Sequence, residues 1–249
     1  TLLPDLTDEQ LDRLSMQPYT AEDFRNHLLT VTYGDTDHEL MEVLIAQSRP
    51  TVDWMHSKGV VWELSSGIGS TTSAPSVIPN SVGLSAWESG AGLVRMLTTA
   101  ARRNGIDILY ETKMLRLRQD SHGGVCGVTG QDTDGIHDIQ SHGVVLACGG
   151  FEANPEMRVK YLGPGWERAK VRGSRYNTGD GHRAALAVGA KPVGQWTGCH
   201  ATPIDADAPS TGVLELTDRM PRRSYPLGIM VNLGGRRFVD EGASFAEQS

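Results

Sequence analysis

Apolar residues recur at helical spacing in the N-terminal part of the chain, and three segments carry helix-start or helix-stop signals. Thr20 precedes an acidic first turn, a combination typical of a helix N-terminus. Asp35 is expected to cap a second helix. Pro50 should kink or divide that helix, because proline removes a backbone donor from the helix interior. A third helix is predicted for residues 90–103, where an Asn-Gly pair follows the last apolar position.

Two tryptophans and a long polar stretch separate the second and third predicted helices. Trp54 and Trp62 are interpreted as core aromatic residues at a helix end. Residues 65–89 are rich in Ser, Gly, Thr and Pro and show no sustained periodicity. A loop of this length inside a compact chain is either functional or disordered, and the sequence leaves both alternatives open.

The pattern then changes to one typical of strands. A strand is predicted for residues 106–110, and extended chain for residues 111–118. Two further strands at residues 125–129 and 136–139, each preceded by a Gly-containing turn, predict a β-meander. The short apolar run at residues 144–147 indicates a strand buried on both faces. This order of elements indicates an α/β fold.

Two glycine clusters follow the strands. The Gly pair at residues 149–150 marks either a tight turn or a place where a ligand approaches the backbone closely. A Gly-Asp-Gly sequence at residues 179–181 precedes a predicted helix at residues 183–188, and Asp180 is expected to be its N-cap. Cys148 lies in the apolar run and is interpreted as a small core residue rather than a redox thiol.

Composition narrows the function classes. The net charge is −7 and the basic residues form no stripe with interleaved aromatics, so nucleic acid is not an expected partner. The three cysteines are far apart without a Cys-x-x-Cys pair, which predicts a reducing compartment and no metal site. No apolar stretch is long enough to span a membrane, and the start lacks the features of a signal peptide. A cytoplasmic protein is the simplest expectation.

Three segments together resemble the FAD-dependent fumarate reductase and succinate dehydrogenase flavoprotein family, with the tricarballylate dehydrogenase type as the nearest match. The resemblance runs over residues 19–245 and is carried by VVLACGGF, NTGDGHRAALAVGA and GIMVNLGGRRFVDE. The family's N-terminal Gly-x-Gly-x-x-Gly turn has no counterpart, since the nearest sequence, at residues 67–72, lacks the third glycine. The chain is therefore interpreted as an internal piece of a larger flavoenzyme.

The resemblance implies a fold and a cofactor, FAD. The fold would be an incomplete α/β FAD-binding domain of the glutathione-reductase type with a β-meander in residues 1–194, followed in residues 195–249 by the start of an α+β capping domain. The missing glycine side chains would let backbone N–H groups reach the cofactor. The residues that the resemblance places beside the flavin are Ala147, Cys148, Gly149, Gly150, Thr178, Gly179, Asp180 and Gly181.

The resemblance also implies a small carboxylate substrate, oxidised by hydride transfer to the flavin. The candidates for substrate binding are His200, Thr217 and Arg237, although Arg237 is expected first of all to pair with Glu241. The resemblance also implies a hairpin at residues 229–241, shortly after which the family carries a catalytic arginine. Residues 242–249 contain no arginine, so the catalytic residue stays unassigned: either another acid or base serves, or the arginine lies beyond residue 249. Two alternatives remain: a ketosteroid-dehydrogenase-like enzyme with an apolar site, or an isolated piece that is inactive or serves as an interaction module. An electron-transfer partner protein is a further expectation.

Overall fold

The computed structural model describes residues 19–65, 83–201, 204–213, 216 and 228–242. The described chain divides into two compact units, one up to Ile108 and one from Leu109 to Glu241. Most of the predicted loop at residues 65–89 lies outside the described residues. The predicted boundary between residues 194 and 195 stays a prediction.

The first unit begins with two helices that pair through an ion pair. Helix α1, Ala21–Val31, starts at the predicted N-terminus, where Thr20 and Asp23 form a capping box. Asp23 N donates to Thr20 Oγ1 at 3.1 Å and Thr20 N donates to Asp23 Oδ2 at 2.8 Å. Helix α2 spans His38–Ser57. Arg25 of α1 binds Glu42 of α2, with 2.6 Å between Nε and Oε1.

Helix α2 differs from the sequence predictions at its N-cap and at Trp54, and it excludes one of the two outcomes predicted at Pro50. Its N-cap is Asp37, which accepts from Leu40 N at 3.0 Å, and not Asp35. Pro50 lies inside one continuous helix and does not divide it. Trp54 is 56% exposed and not in the core. The buried side chains of α2 include Ile45, and Trp54 follows nine positions later, about half a turn round the helix axis, so that it faces away.

An antiparallel pair of strands and a third helix follow in the first unit. Strands β1, Trp62–Ser65, and β2, Gly83–Ala86, pair antiparallel. Helix α3, Ser89–Arg103, matches its prediction to within one residue. Val61 N donates to Met96 Sδ of α3 at 3.2 Å, beside the buried Val60.

The second unit contains the predicted meander. Strands β3, Lys113–Gln119, β4, Val125–Asp132, and β5, Gly135–Gln140, form an antiparallel sheet in the order β3-β4-β5. Thr129, wholly buried, donates to Asp138 at 2.7 Å across β4 and β5. The meander prediction is therefore confirmed.

Two other predicted strands are wrong. Residues 106–110 and 144–147 belong to no strand, and Val145 is 93% exposed although burial on both faces was expected. A strand requires neighbours that satisfy its backbone groups, and none is placed beside these segments within the described residues. The apolar pattern of a segment does not determine whether a neighbouring strand lies beside it.

Two short helices lie in the second half of this unit. Helix α4 spans Pro155–Leu162 and α5 spans Asp180–Ala187. Arg158 of α4 is buried, and its guanidinium donates to the carbonyl oxygens of Trp166 at 2.8 Å, Glu167 at 3.1 Å and Ala169 at 3.1 Å. This one side chain holds the turn after α4 in place.

Candidate functional site

The two glycine clusters meet in the second unit. We call residues 147–153 the first glycine loop and residues 176–181 the second glycine loop. Gly179 N donates to Gly150 O at 3.0 Å, and Ala153 N donates to Asn177 O at 2.9 Å. Segments nearly thirty residues apart in sequence are thus joined by backbone hydrogen bonds, as the resemblance had grouped them.

The glycines are required for this loop packing. A Cβ on Gly179 would lie 2.4 Å from Met157 Sδ, and one on Gly149 would lie 2.6 Å from Asn177 Oδ1. Both residues also have positive φ, +76° and +72°. A Cβ on Gly181 would meet Cys148 Cβ at 3.0 Å. The space that a Cβ would take at each of these glycines is filled by other atoms of the chain. The assignment of the glycines to cofactor access stays a prediction.

Asp180 is the most highly connected polar side chain of the two loops. It is the first residue of α5, and the N-cap is Gly179, so the expected N-cap role of Asp180 is wrong. The reason is the left-handed conformation of Gly179, which starts the helix one residue earlier. Asp180 Oδ1 accepts from Arg183, and Oδ2 accepts from Thr178 Oγ1 at 3.1 Å and lies 3.7 Å from Lys113 Nζ.

These contacts keep Asp180 ionised. Partial burial acts to raise the pKa of Asp180, but the hydrogen bonds from Arg183 and Thr178 and the charges of Lys113 and Arg183 outweigh it, and the pKa lies below its usual value. An ionised carboxylate offers about four acceptor positions. With two hydrogen bonds accepted, it retains capacity for a ligand's donor.

The first glycine loop is anchored on α4. Asn154 Oδ1 accepts from Met157 N at 3.0 Å as the N-cap, and its Nδ2 donates to Thr178 O at 3.0 Å. Asn154 therefore joins the helix start to the second glycine loop. An Asn-Pro pair before a helical segment is the sequence signal that would have identified this cap.

An aromatic cluster lies beside the loops. Its members are half-buried, and their ring centroids are 4.8–6.1 Å apart in the contacting pairs: Phe151, Tyr161, His182 and Trp196. His182 Nδ1 is buried, with no hydrogen-bond partner among the described residues. The Trp196 indole donates to Val193 O at 2.9 Å, which holds the segment after α5 against the cluster.

The other site residues predicted from the sequence differ from one another in exposure and in their contacts. Ala147 and Cys148 are exposed, so the expected core role of Cys148 is wrong; the segment that carries it is not part of a sheet. His200 is exposed, and Thr217 lies outside the described residues. Arg237 Nε binds Glu241 Oε2 at 3.1 Å, as expected.

Residues 229–241 form a C-terminal hairpin, in which Val231 and Arg237 make an antiparallel bridge. Glu241 also accepts from Met230 N, which closes this hairpin. This backbone hydrogen bond, together with the charge of Arg237, lowers the pKa of Glu241. Arg237 is therefore engaged in holding the hairpin in the described structure.

Comparison with known proteins identifies the class. Residues 11–248 match the family described as FAD binding domain, and the chain belongs to that family. The cofactor that this membership indicates is FAD. The joined glycine loops and the ionised Asp180 offer backbone N–H groups and a carboxylate acceptor, which suit a ligand that carries hydroxyl and carbonyl groups.

Individual relatives fall in different substrate classes. The 3-oxosteroid 1-dehydrogenase of Mycolicibacterium smegmatis is 32% identical over 206 residues, which cover 77% of this chain and 32% of the relative. The NADH:acrylate oxidoreductase of Vibrio harveyi is 29% identical over 225 residues, 85% of this chain and 20% of the relative. The chain thus spans about a third or less of these relatives' length.

A solved structure confirms the likeness at the level of the fold. The open conformation of a flavocytochrome c3 fumarate reductase superposes with a TM-score of 0.72 at 22% identity, over 98% of this chain and 41% of that one. Within the described residues, no helix has the length and apolar character needed to cross a membrane.

Proposed function

We propose that this chain is part of an FAD-dependent oxidoreductase in which the two glycine loops line the cofactor site. The proposal depends on the backbone hydrogen bond from Gly179 N to Gly150 O, which joins the two loops in a chain that belongs to an FAD-binding family. FAD, when bound, supplies the acceptor for a hydride.

The residues of the site have separate roles in this proposal. The first-turn N–H groups of α5 donate to the cofactor, because Gly179 supplies no side-chain cap of its own. Asp180 accepts from a cofactor hydroxyl with its remaining acceptor capacity. Ala147, Cys148, Gly149 and Gly150 line the opposite side through the backbone, with Thr178 and Gly181 completing the second loop.

We propose two candidate substrate classes. The first is a small carboxylate, of the kind a tricarballylate dehydrogenase oxidises, held by His200, Thr217 or Arg237 through charge-assisted hydrogen bonds. The second is a 3-oxosteroid, favoured by the 32% identical relative. A steroid requires an apolar wall, for which the aromatic cluster beside the first glycine loop is the candidate within the described structure.

The finer architecture belongs to the same proposal. Residues 1–194 would form part of a glutathione-reductase-type FAD-binding domain, and residues 195–249 the start of a substrate-capping domain. The active enzyme would pass its electrons to, or take them from, a partner protein or a small-molecule acceptor.

The test uses the full-length protein that contains this chain. Bound FAD is measured first, by flavin absorbance after gel filtration. Reduction of the bound flavin is then followed with tricarballylate and with a 3-oxosteroid, and reoxidation with fumarate. Bleaching by one class alone assigns the substrate. A protein that retains no FAD would overturn the proposal, and a titration of residues 1–249 with FAD shows whether this piece binds unaided.

A further inference from the structure

Two polar side chains lie directly over the Gly149-Gly150 pair. A Cβ on Gly149 would lie 2.6 Å from Asn177 Oδ1 and 3.2 Å from Asn177 Nδ2, and one on Gly150 would lie 2.5 Å from Glu152 Oε2. The carboxamide and the carboxylate therefore occupy the side of the backbone that the missing glycine side chains leave open.

The two side chains are bonded to each other. Asn177 Nδ2 donates to Glu152 Oε1, which joins the second glycine loop to the first. Asn177 is also held by its own backbone, since its carbonyl accepts from Ala153 N at 2.9 Å. Asn177 thus engages the first loop through its side chain at Glu152 and through its main chain at the next residue, Ala153.

From this geometry we infer that Asn177 and Glu152 are positioning residues for FAD: their bond sets the orientation of the Gly149 and Gly150 peptides that face the cofactor. The inference rests on the proposed function. In this hydrogen bond the amide nitrogen of Asn177 can only donate and the carboxylate of Glu152 can only accept. Exchanging amide and carboxylate by substitutions of the same size can therefore remove the hydrogen bond or restore it with donor and acceptor reversed.

Three variants of the full-length protein test this. Asn177→Asp replaces the donor by a second carboxylate, and like charges at this separation repel. We expect FAD affinity to fall about tenfold or more. Glu152→Gln keeps an acceptor for Asn177, so affinity should stay within about threefold of wild type. In the double variant N177D/E152Q the glutamine amide donates to the new carboxylate, and affinity should return to within about threefold of wild type.

The measurements separate positioning from folding. FAD affinity of the apoprotein is read by flavin fluorescence, the flavin absorption band reports its surroundings, and thermal unfolding of the apoprotein reports stability. Asn104→Asp is the control, because Asn104 likewise donates from its side-chain amide, to Ala100 O at 2.8 Å, but lies in the first unit. It should leave FAD affinity unchanged.

The outcomes are distinct. If wild type binds FAD and N177D binds equally well, or if the double variant is no better than N177D, the inference is overturned while the proposed function stands. If wild type does not bind FAD, the proposed function fails and the inference with it. Should N177D fail to fold, Asn177→Ala, which adds no charge, replaces it, and an unchanged affinity then overturns the inference.

Discussion

At the scale of single residues, Asp180 shows how much a side chain's surroundings add to its sequence position. The Gly-Asp-Gly sequence predicted a cap, whereas the structure places Asp180 inside the helix start and surrounds it with Arg183, Thr178 and Lys113. Arg183 is close in sequence, so an i,i+3 pair was foreseeable. Lys113 comes from β3, and no local pattern indicates that approach.

The lowered pKa of Asp180 predicts a pH-dependent stability. A carboxyl whose folded pKa lies below its unfolded value, about 3.9, contributes stability above that value and loses it as the pH falls through the folded pKa. Asp180→Asn should therefore lower the free energy of unfolding by about 1 kcal/mol at neutral pH. This value is low for a hydrogen bond to a charged group, because the Asp180 side chain is 24% exposed to solvent. The deficit should shrink as the pH falls below about 4.

Urea unfolding from neutral to acid pH measures this difference. The control is Asp134→Asn, which also removes one carboxylate but from an exposed turn position, and it should cost less than Asp180→Asn at neutral pH. A deficit in Asp180→Asn that is constant with pH would contradict the electrostatic account.

At the scale of elements, the start of α5 is built on its contact with α4. Gly179, the N-cap of α5, lies in the left-handed region, and Met157 of α4 packs against it. The sequence predicted the helix and its glycine-rich start but not the neighbour. Capping signals are local, whereas the methionine that fills the space beside Gly179 is brought there by the Asn154 and Arg158 contacts.

This contact predicts a difference between two glycines of similar backbone conformation. Gly179→Ala meets both the left-handed strain at φ +76° and the overlap with Met157, and should cost about 3 kcal/mol. Gly189, just after the same helix, has φ +91° and nothing within 4 Å of a Cβ, so Gly189→Ala should cost only about 1 kcal/mol. Thermal and urea unfolding measure the stability of the two variants. Equal losses of stability would show that the overlap with Met157 contributes nothing.

At the scale of the whole molecule, several apolar side chains of the described residues are exposed to solvent. Val145, in the run expected to be a central strand, is 93% exposed. Ile229 and Phe238 of the C-terminal hairpin are 67% and 66% exposed. Exposed extended segments with apolar side chains favour association with other surfaces.

A chain of these 249 residues should therefore bind a hydrophobic dye and self-associate as its concentration rises. Val145→Lys should lower both dye binding and self-association, since it removes apolar surface and adds a charge to a segment that is not paired in a sheet. Gln47→Lys adds the same charge at an exposed polar position of α2 and serves as the control. Sedimentation velocity and dye fluorescence give the readout. Equal behaviour of the two variants would mean that Val145 lies outside the associating surface.

Local chemistry in the sequence was sufficient for features whose physical cause is also local. The Thr20 capping box, helix α3, the meander turns and the pairing of Arg237 with Glu241 each depend on residues a few positions apart. The motif order likewise indicated an FAD-binding chain, which the family match confirms. Long-range partners were decided only by the tertiary structure. Periodicity does not specify which neighbours a segment has in the fold. Those neighbours decide whether an apolar run becomes a strand, whether Trp54 is buried, and which residues lie over Gly149.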